Sequence, residues 1–243
     1  MNQKIGKIIA ILILVGGVVA LIAMKIASQI DYSKYNLNDF VSATADTGNF
    51  DDNIKGDRDA PVKIIEYADY QCEYCALYNP YINKLVEKYD GKVAVIFRTF
   101  LLSYHNNATA AASAANAAAL QGYWREYADT LFANQNDWYY AESSERLGLF
   151  VSYFNDVTEG KGDVDKFKTD MRSKEVSQKI TFDMGAGQIT KLTGTPAFYI
   201  NGEPISPNQD EETFMKNFAE KIDPLLQNNS SSEEKSDTLK QSE

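Results

Sequence analysis

The chain is poor in metal-ligating residues: its 243 residues include two cysteines and one histidine. Structural zinc takes about four Cys or His ligands, so a zinc centre is excluded and no metal is expected. Basic residues are also too few for a nucleic-acid or anionic-surface partner. Lys and Arg number 24 against 34 Asp and Glu, leaving a net charge of −10, whereas such partners demand a basic patch. No internal repeat is visible. Gly185-Ala186-Gly187 lacks the further glycine or lysine of a phosphate loop and reads as a helix break. What is present, 44% hydrophobic and 12% aromatic residues, suffices for one sizeable core with terminal extensions.

The two cysteines stand together in Tyr70-Gln71-Cys72-Glu73-Tyr74-Cys75-Ala76, directly after the apolar run from Val62 to Tyr67. Two thiols at this spacing, where a buried strand turns into a helix, can close a small disulfide with its sulfurs exposed at the helix N-terminus. A purely structural link closing so short a loop would add little stability. Thiolate is the attacking species in thiol–disulfide exchange, and a helix N-terminus stabilises an anion. Cys72 is therefore expected to attack, and Cys75, one turn on and facing inward, to resolve. Glu73, beside Cys72, is expected to oppose the helix dipole and tune the redox potential downward.

At the N-terminus, Lys4 and Lys7 precede an apolar run from Ile8 to Met24 that Ile26 and Ala27 extend. At about 1.5 Å per residue, Ile8 to Ala27 reaches about 30 Å, the thickness of a bilayer core. Residues 1–27 read as a membrane anchor with the lysines in the cytoplasm and the globular part outside. A cleaved signal peptide is the alternative, although Ala23 to Ser28 holds no convincing cleavage site. No cysteine lies near this run, which excludes a lipid anchor on cysteine. An exported location suits disulfide chemistry, because the cytosol keeps thiols reduced. Residues 28–58 are polar and turn-rich and read as a tether, with a short strand around Asn53. Residues 59–226 form the expected domain, and 227–243, rich in Asn, Ser, Glu and Lys, are expected to be disordered.

Within the domain, Val62 to Tyr67 and Val93 to Phe97 read as buried strands joined by a helix from Cys72 to about Lys88, hence as a parallel pair. Residues of about 106–189 are helical in character, and the alanine-rich segment from Ala108 to Leu120 suggests a closely packed helix. Asn201-Gly202 marks a hairpin between Ala197–Ile200 and Glu203–Ile205. Phe214, Phe218 and Ile222 recur at a helical period. Asn107-Ala108-Thr109 matches a glycosylation acceptor by chance, and His105 is read as structural.

Taken together, Cys72-Glu73-Tyr74-Cys75 after a strand, the helical insertion, and Thr193-Gly194-Thr195-Pro196-Ala197-Phe198 before a hairpin resemble the DsbA-like thiol–disulfide oxidoreductases of the thioredoxin superfamily, in particular the membrane-anchored kind. Asp59-Ala60-Pro61-Val62 and Gln121-Gly122-Tyr123-Trp124 add to the resemblance. It implies an α/β, thioredoxin-like fold with an inserted helical domain, preceded by a single transmembrane helix. It also implies a cis peptide bond before Pro196 that places the backbone of Thr195 beside the sulfurs, with Thr195 and Tyr74 bordering the substrate chain. Glu66 matches the partly buried acid that relays protons to the inner cysteine. In a strand it shares a face with Ile64 and would be desolvated, with a raised pKa.

The resulting expectation is a monomeric enzyme without cofactor that oxidises cysteine pairs in exported, reduced or unfolded proteins outside the cytoplasmic membrane. The resemblance implies reoxidation by a quinone-linked membrane partner. A reductase or isomerase with the same residues, and a peptide-binding chaperone indifferent to loss of Cys72, are the alternatives.

Overall fold

The computed structural model describes residues 30–240, with side chains as far as Asn228. The anchor expected over residues 1–27 lies outside this range. No helix among the described residues is long and apolar enough to cross a membrane. The chain divides into two units, Met1–Lys34 and Tyr35–Glu243. The described part of the first holds one 3-10 turn, Tyr32–Lys34, where the Asp31 carboxylate accepts from the Ser33 backbone and hydroxyl.

In the second unit, β2 (Val62–Ala68) and β3 (Val93–Thr99) read as nearly continuous apolar runs and are buried on both faces, as parallel strands covered on each side must be. The crossover helix α1 (Glu73–Tyr89) joins them, ending where Asp90 and Gly91 take positive φ of 32° and 74°. β1 (Asn53–Lys55) pairs antiparallel with β3. β4 (Ala197–Ile200) pairs antiparallel with β2, and the Asn201-Gly202 turn, with φ of 53° and 83°, returns the chain into β5 (Glu203–Ile205). Positive φ at both central residues is the hairpin turn that matches strand twist. The order is β1-β3-β2-β4-β5. Glu66 on the central strand thus stands opposite Phe97 on one side and Phe198 on the other.

Between β3 and β4 lie α2 (Ala108–Ala119), α3 (Trp124–Ala133), α4 (Gln135–Trp138), α5 (Ser143–Val157), α6 (Val164–Asp170) and α7 (Lys174–Ile189). The alanines of α2 are largely buried and pack with Trp124, Tyr127, Phe150 and Phe154 in one apolar cluster. A second cluster joins α1 to the sheet and to α8 (Glu211–Lys240) through Phe214, Phe218 and Ile222.

Three expectations are corrected. The polar stretch read as a tether is part of the fold from about Val41: Val41, Phe50 and Asp52 are buried, and β1 completes the sheet edge. Its backbone and Asp52 satisfy the buried Arg98, whose guanidinium donates to the Leu37 and Asp39 carbonyls and to the Asp52 carboxylate. The glycine pair does not break α7, which runs through it. A Cβ at Gly187 would lie 2.4 Å from the Phe100 ring, so this glycine permits close packing. α8 continues to Lys240 where disorder was expected from residue 227. Its three buried apolar residues anchor the first turns, and a helix once started extends at little cost through polar residues.

Candidate active site

The loop from β2 into α1 is held before either cysteine is reached. Asp69, fully buried, accepts from the backbone of Gln71 and Leu102 at 2.8 Å each and faces His105 Nδ1 at 2.9 Å, while its own carbonyl accepts from the Cys72 N–H. Gln135 of α4 donates to the carbonyls of Tyr70 and Cys72. Cys72 is the N-cap of α1, in extended conformation (φ −76°, ψ 122°). Its thiol makes no capping hydrogen bond, but it stands at the N-terminal turn, whose free N–H groups favour an anion.

Both cysteines are free thiols. The residue Cys72 is 5% exposed and Cys75 0%, so the outer sulfur is more covered than the sequence suggested. The Thr195–Pro196 segment lies over it. The Cys72 thiol donates to the Thr195 carbonyl at 3.4 Å, and the Thr195–Pro196 bond is cis. The Cys72 thiol is brought down to about 6, first by a hydrogen bond from Cys75, against the opposing effect of burial, then by Thr195 and the Cys75 and Tyr74 N–H groups. The Thr195 hydroxyl is buried and has no hydrogen-bond partner among the described residues. Cys75 moves the other way: burial pushes it well up, and the Cys72 sulfur and Glu66 add to the rise. One thiol is set to ionise near neutrality and the other to hold its proton.

Glu66 is 2% exposed, and its carboxyl is raised to about 7. Burial is the main cause. Lys55 opposes it and Asp129 adds to it. The Lys55 ammonium has three N–H donors, which go to Asn79 at 2.6 Å, Asn83 at 2.8 Å and Asp129 at 2.5 Å. It acts on Glu66 through space alone.

Of the residues expected at the site, Cys72, Cys75, Thr195 and Pro196 come together, and the charge of Glu66 acts on Cys75. Tyr74 is 51% exposed. Glu73 is exposed in the first turn of α1, where water weakens its field on Cys72. His105 is brought to the loop by Asp69, closer to the chemistry than its place in the sequence indicated. The acceptor asparagine, Asn107, is buried and donates to the carbonyls of Trp138, Tyr139 and Ala141, which removes it as a glycosylation site. Lys55, Asp69, Asp129 and Gln135 were not anticipated. An inward lysine on a short strand was the available sign of Lys55, and nothing local marks Asp129 or Gln135. Among the described residues no group of three His, Cys, Asp or Glu is arranged to hold a metal ion.

A thioredoxin family model matches residues 49–220. The chain belongs to the thioredoxin family. The match begins ahead of β1, in agreement with the buried segment around Asp52. The "probable disulfide bond formation protein D" of Bacillus cereus is 30% identical over 162 residues, covering 64% of this chain and 72% of that protein. The crystal structure of α-DsbA1 from Wolbachia pipientis superposes with a TM-score of 0.58 at 26% identity, covering 74% of this chain and 94% of that one. The chain is also 33% identical over 154 residues, 62% of its length, to the Na(+)/H(+) antiporter NhaA 3 of Salinispora tropica. The chain spans 22% of the length of that relative.

Proposed function

We propose that this protein is a DsbA-like thiol–disulfide oxidoreductase that oxidises cysteine pairs in exported proteins. The observation that carries the reading is the pairing of an easily ionised Cys72 against the Thr195 carbonyl with a buried, protonated Cys75 on which the charge of the buried Glu66 acts. Starting from the Cys72–Cys75 disulfide, a substrate thiolate attacks Cys72 Sγ and Cys75 leaves as a thiolate. Glu66, near neutrality half protonated, supplies the proton that Cys75 requires. A second substrate thiolate then attacks the substrate sulfur of the mixed disulfide and Cys72 leaves. The substrate gains one disulfide, and the enzyme keeps two electrons as a dithiol. A stabilised Cys72 thiolate favours this direction, since it stabilises the reduced enzyme.

Residues 1–27 hold the catalytic domain on the outer side of the cytoplasmic membrane in this reading, where a quinone-linked membrane oxidase recovers the disulfide. The tether raises the effective concentration of the two partners. Trapping tests the reading: the full-length Cys75→Ser variant is expected to accumulate mixed disulfides with exported proteins through Cys72, and the Cys72→Ser variant none. Equal trapping by both variants, or faster alkylation of Cys75 than of Cys72 at pH 7, would overturn it.

A further inference from the structure

The residue before the nucleophile opens onto a cleft that the exchange chemistry does not use. Gln71 forms part of its wall, with Tyr104, Tyr139, Tyr140, Glu142 and Arg146, around a volume of about 460 Å³. The cleft is fixed from below by buried polar groups. Gln71 accepts from the Asn107 N–H at 2.7 Å and donates to the Tyr139 carbonyl at 2.9 Å, and Asn107 in turn accepts from Arg146. Two of its tyrosines are left out in water, Tyr104 at 72% and Tyr140 at 87% exposure. Tyr139 and Tyr140 lie with ring centroids 4.5 Å apart. Exposed aromatic rings supply large, stiff, amphipathic contact area with few rotatable bonds, which suits recognition of varied chains. Arg146, half-buried at the first turn of α5, has five N–H donors. Its partners among the described residues are the Asn107 amide oxygen, the Ala141 carbonyl and the Ser143 hydroxyl, none of them charged. The guanidinium charge is therefore uncompensated at short range, and donors remain.

We infer that this cleft is a substrate subsite on the helical side of Cys72, taking the extended polypeptide that flanks the attacking cysteine, with an acidic side chain of that segment on Arg146. This inference rests on the proposed function and deepens it: small thiols reach Cys72 without the cleft, whereas polypeptides engage it. Glu142 on the rim makes a basic side chain the competing occupant, and the experiment separates the two.

Full-length oxidised protein is assayed with reduced glutathione and with dicysteine peptides that carry Asp or Lys at successive positions beside the first cysteine. Wild type is expected to prefer the Asp peptide at one position by about threefold in kcat/KM, the size of a partly exposed ion pair. Tyr104→Ala/Tyr140→Ala is expected to raise KM about fivefold for both peptides while leaving the glutathione rate unchanged. Arg146→Met should abolish the Asp preference and Arg146→Lys retain it. A Lys preference, no preference at any position, or equal losses with glutathione and peptide in the tyrosine variant would each overturn the subsite while leaving exchange at Cys72 intact. Absence of exchange with glutathione in wild type would instead sink the proposed function and the subsite with it.

Discussion

Two clusters of buried charge lie in this fold, and they are built differently. Around Asp52, every charge touches an opposite one. Arg98 Nη2 lies 2.7 Å from Asp52, and Lys179 lies 2.9 Å from Asp52 and 2.7 Å from Asp183. Burial alone would push Asp52 up, but Lys179 and Arg98 outweigh it and hold the carboxylate below its ordinary range. Asp183, whose partners among the described residues are the shared Lys179 and the Thr99 N–H, is pushed up by burial to about 6. Around Glu66 the nearby cation is committed elsewhere, to Asn79, Asn83 and Asp129. Two cations hold Asp52 ionised and in place, whereas an acid with one shared cation (Asp183) or none in contact (Glu66) is raised toward neutrality, and of these Glu66 is the one whose charge acts on Cys75.

The sharpest way to break this comparison is to remove one charge from each cluster. Arg98→Met leaves Asp52 and the Leu37 and Asp39 carbonyls without their main donor. It should lower unfolding stability by about 3 to 5 kcal/mol, the usual consequence of orphaning a buried partner. Redox potential in the variant that remains folded should not change. Urea unfolding and glutathione equilibration measure the two, and a shifted potential would show that the clusters are coupled.

Glu66→Gln should have the opposite signature. The native carboxyl titrates at about 7 against 4.5 when unperturbed. From pH 4.5 to 7 the folded state holds a proton that the unfolded chain has released, so stability falls as pH rises through this window. The total is on the order of 3 kcal/mol. Glu66→Gln should flatten that fall and be relatively more stable at pH 8. It should also slow the step in which Cys75 gains its proton, by about 100-fold, the lower end for general acid catalysis. Unfolding curves at pH 4.5 and 8 with stopped-flow peptide oxidation check both, and an unchanged pH slope would place Glu66 in contact with solvent.

A smaller effect concerns the roof of the site. The Cys72 thiolate should form with a midpoint of about 6, so alkylation by iodoacetamide rises with pH from 5 to 7. Thr195→Val removes a buried hydroxyl without a hydrogen-bond partner among the described residues, and with it the contribution of Thr195 to the lowered Cys72 thiol. It should raise that midpoint by up to about one unit, or about 1.4 kcal/mol. An unmoved midpoint would assign the acidity of Cys72 to Cys75 and the helix N–H groups alone.

The pattern of what was legible follows from range. Strands β2 and β3, helix α1 and the Asn201-Gly202 hairpin depend on neighbours within a few residues, and the sequence displays them directly. Cys72, Cys75 and Pro196 are legible because few chemistries need that combination. Glu66 was visible as an acid in an apolar run, but its raised pKa depends on Lys55 and Asp129, which are close only in the folded chain. The segment ahead of β1 looked like a linker because its polar groups serve Arg98, about forty to sixty positions away. The glycines of α7 misled for a related reason: a residue that breaks an isolated helix is tolerated where Phe100 requires the space.

The smallest expected effect separates the sequence argument from the structural one at Glu73. Adjacency to Cys72 suggested that this carboxylate destabilises the thiolate and makes the enzyme less oxidising. The structure leaves Glu73 exposed in the first turn of α1, while Cys75, Thr195 and Tyr74 bring the Cys72 thiol down. A charge in water acts weakly at a distance, and the favourable interaction of Glu73 with the helix N-terminus is common to both redox states and cancels. Glu73→Gln should therefore make the protein more oxidising by less than about 30 mV, the equivalent of one pKa unit in a two-electron couple. Equilibration of wild type and variant with glutathione buffers at pH 7, at low and at 0.5 M salt, measures it. The difference should shrink with salt, because an exposed charge is screened. A salt-independent shift of 30 mV or more would mean that Glu73 turns inward over Cys72, and that the potential is set at the rim of the site as well as beneath it.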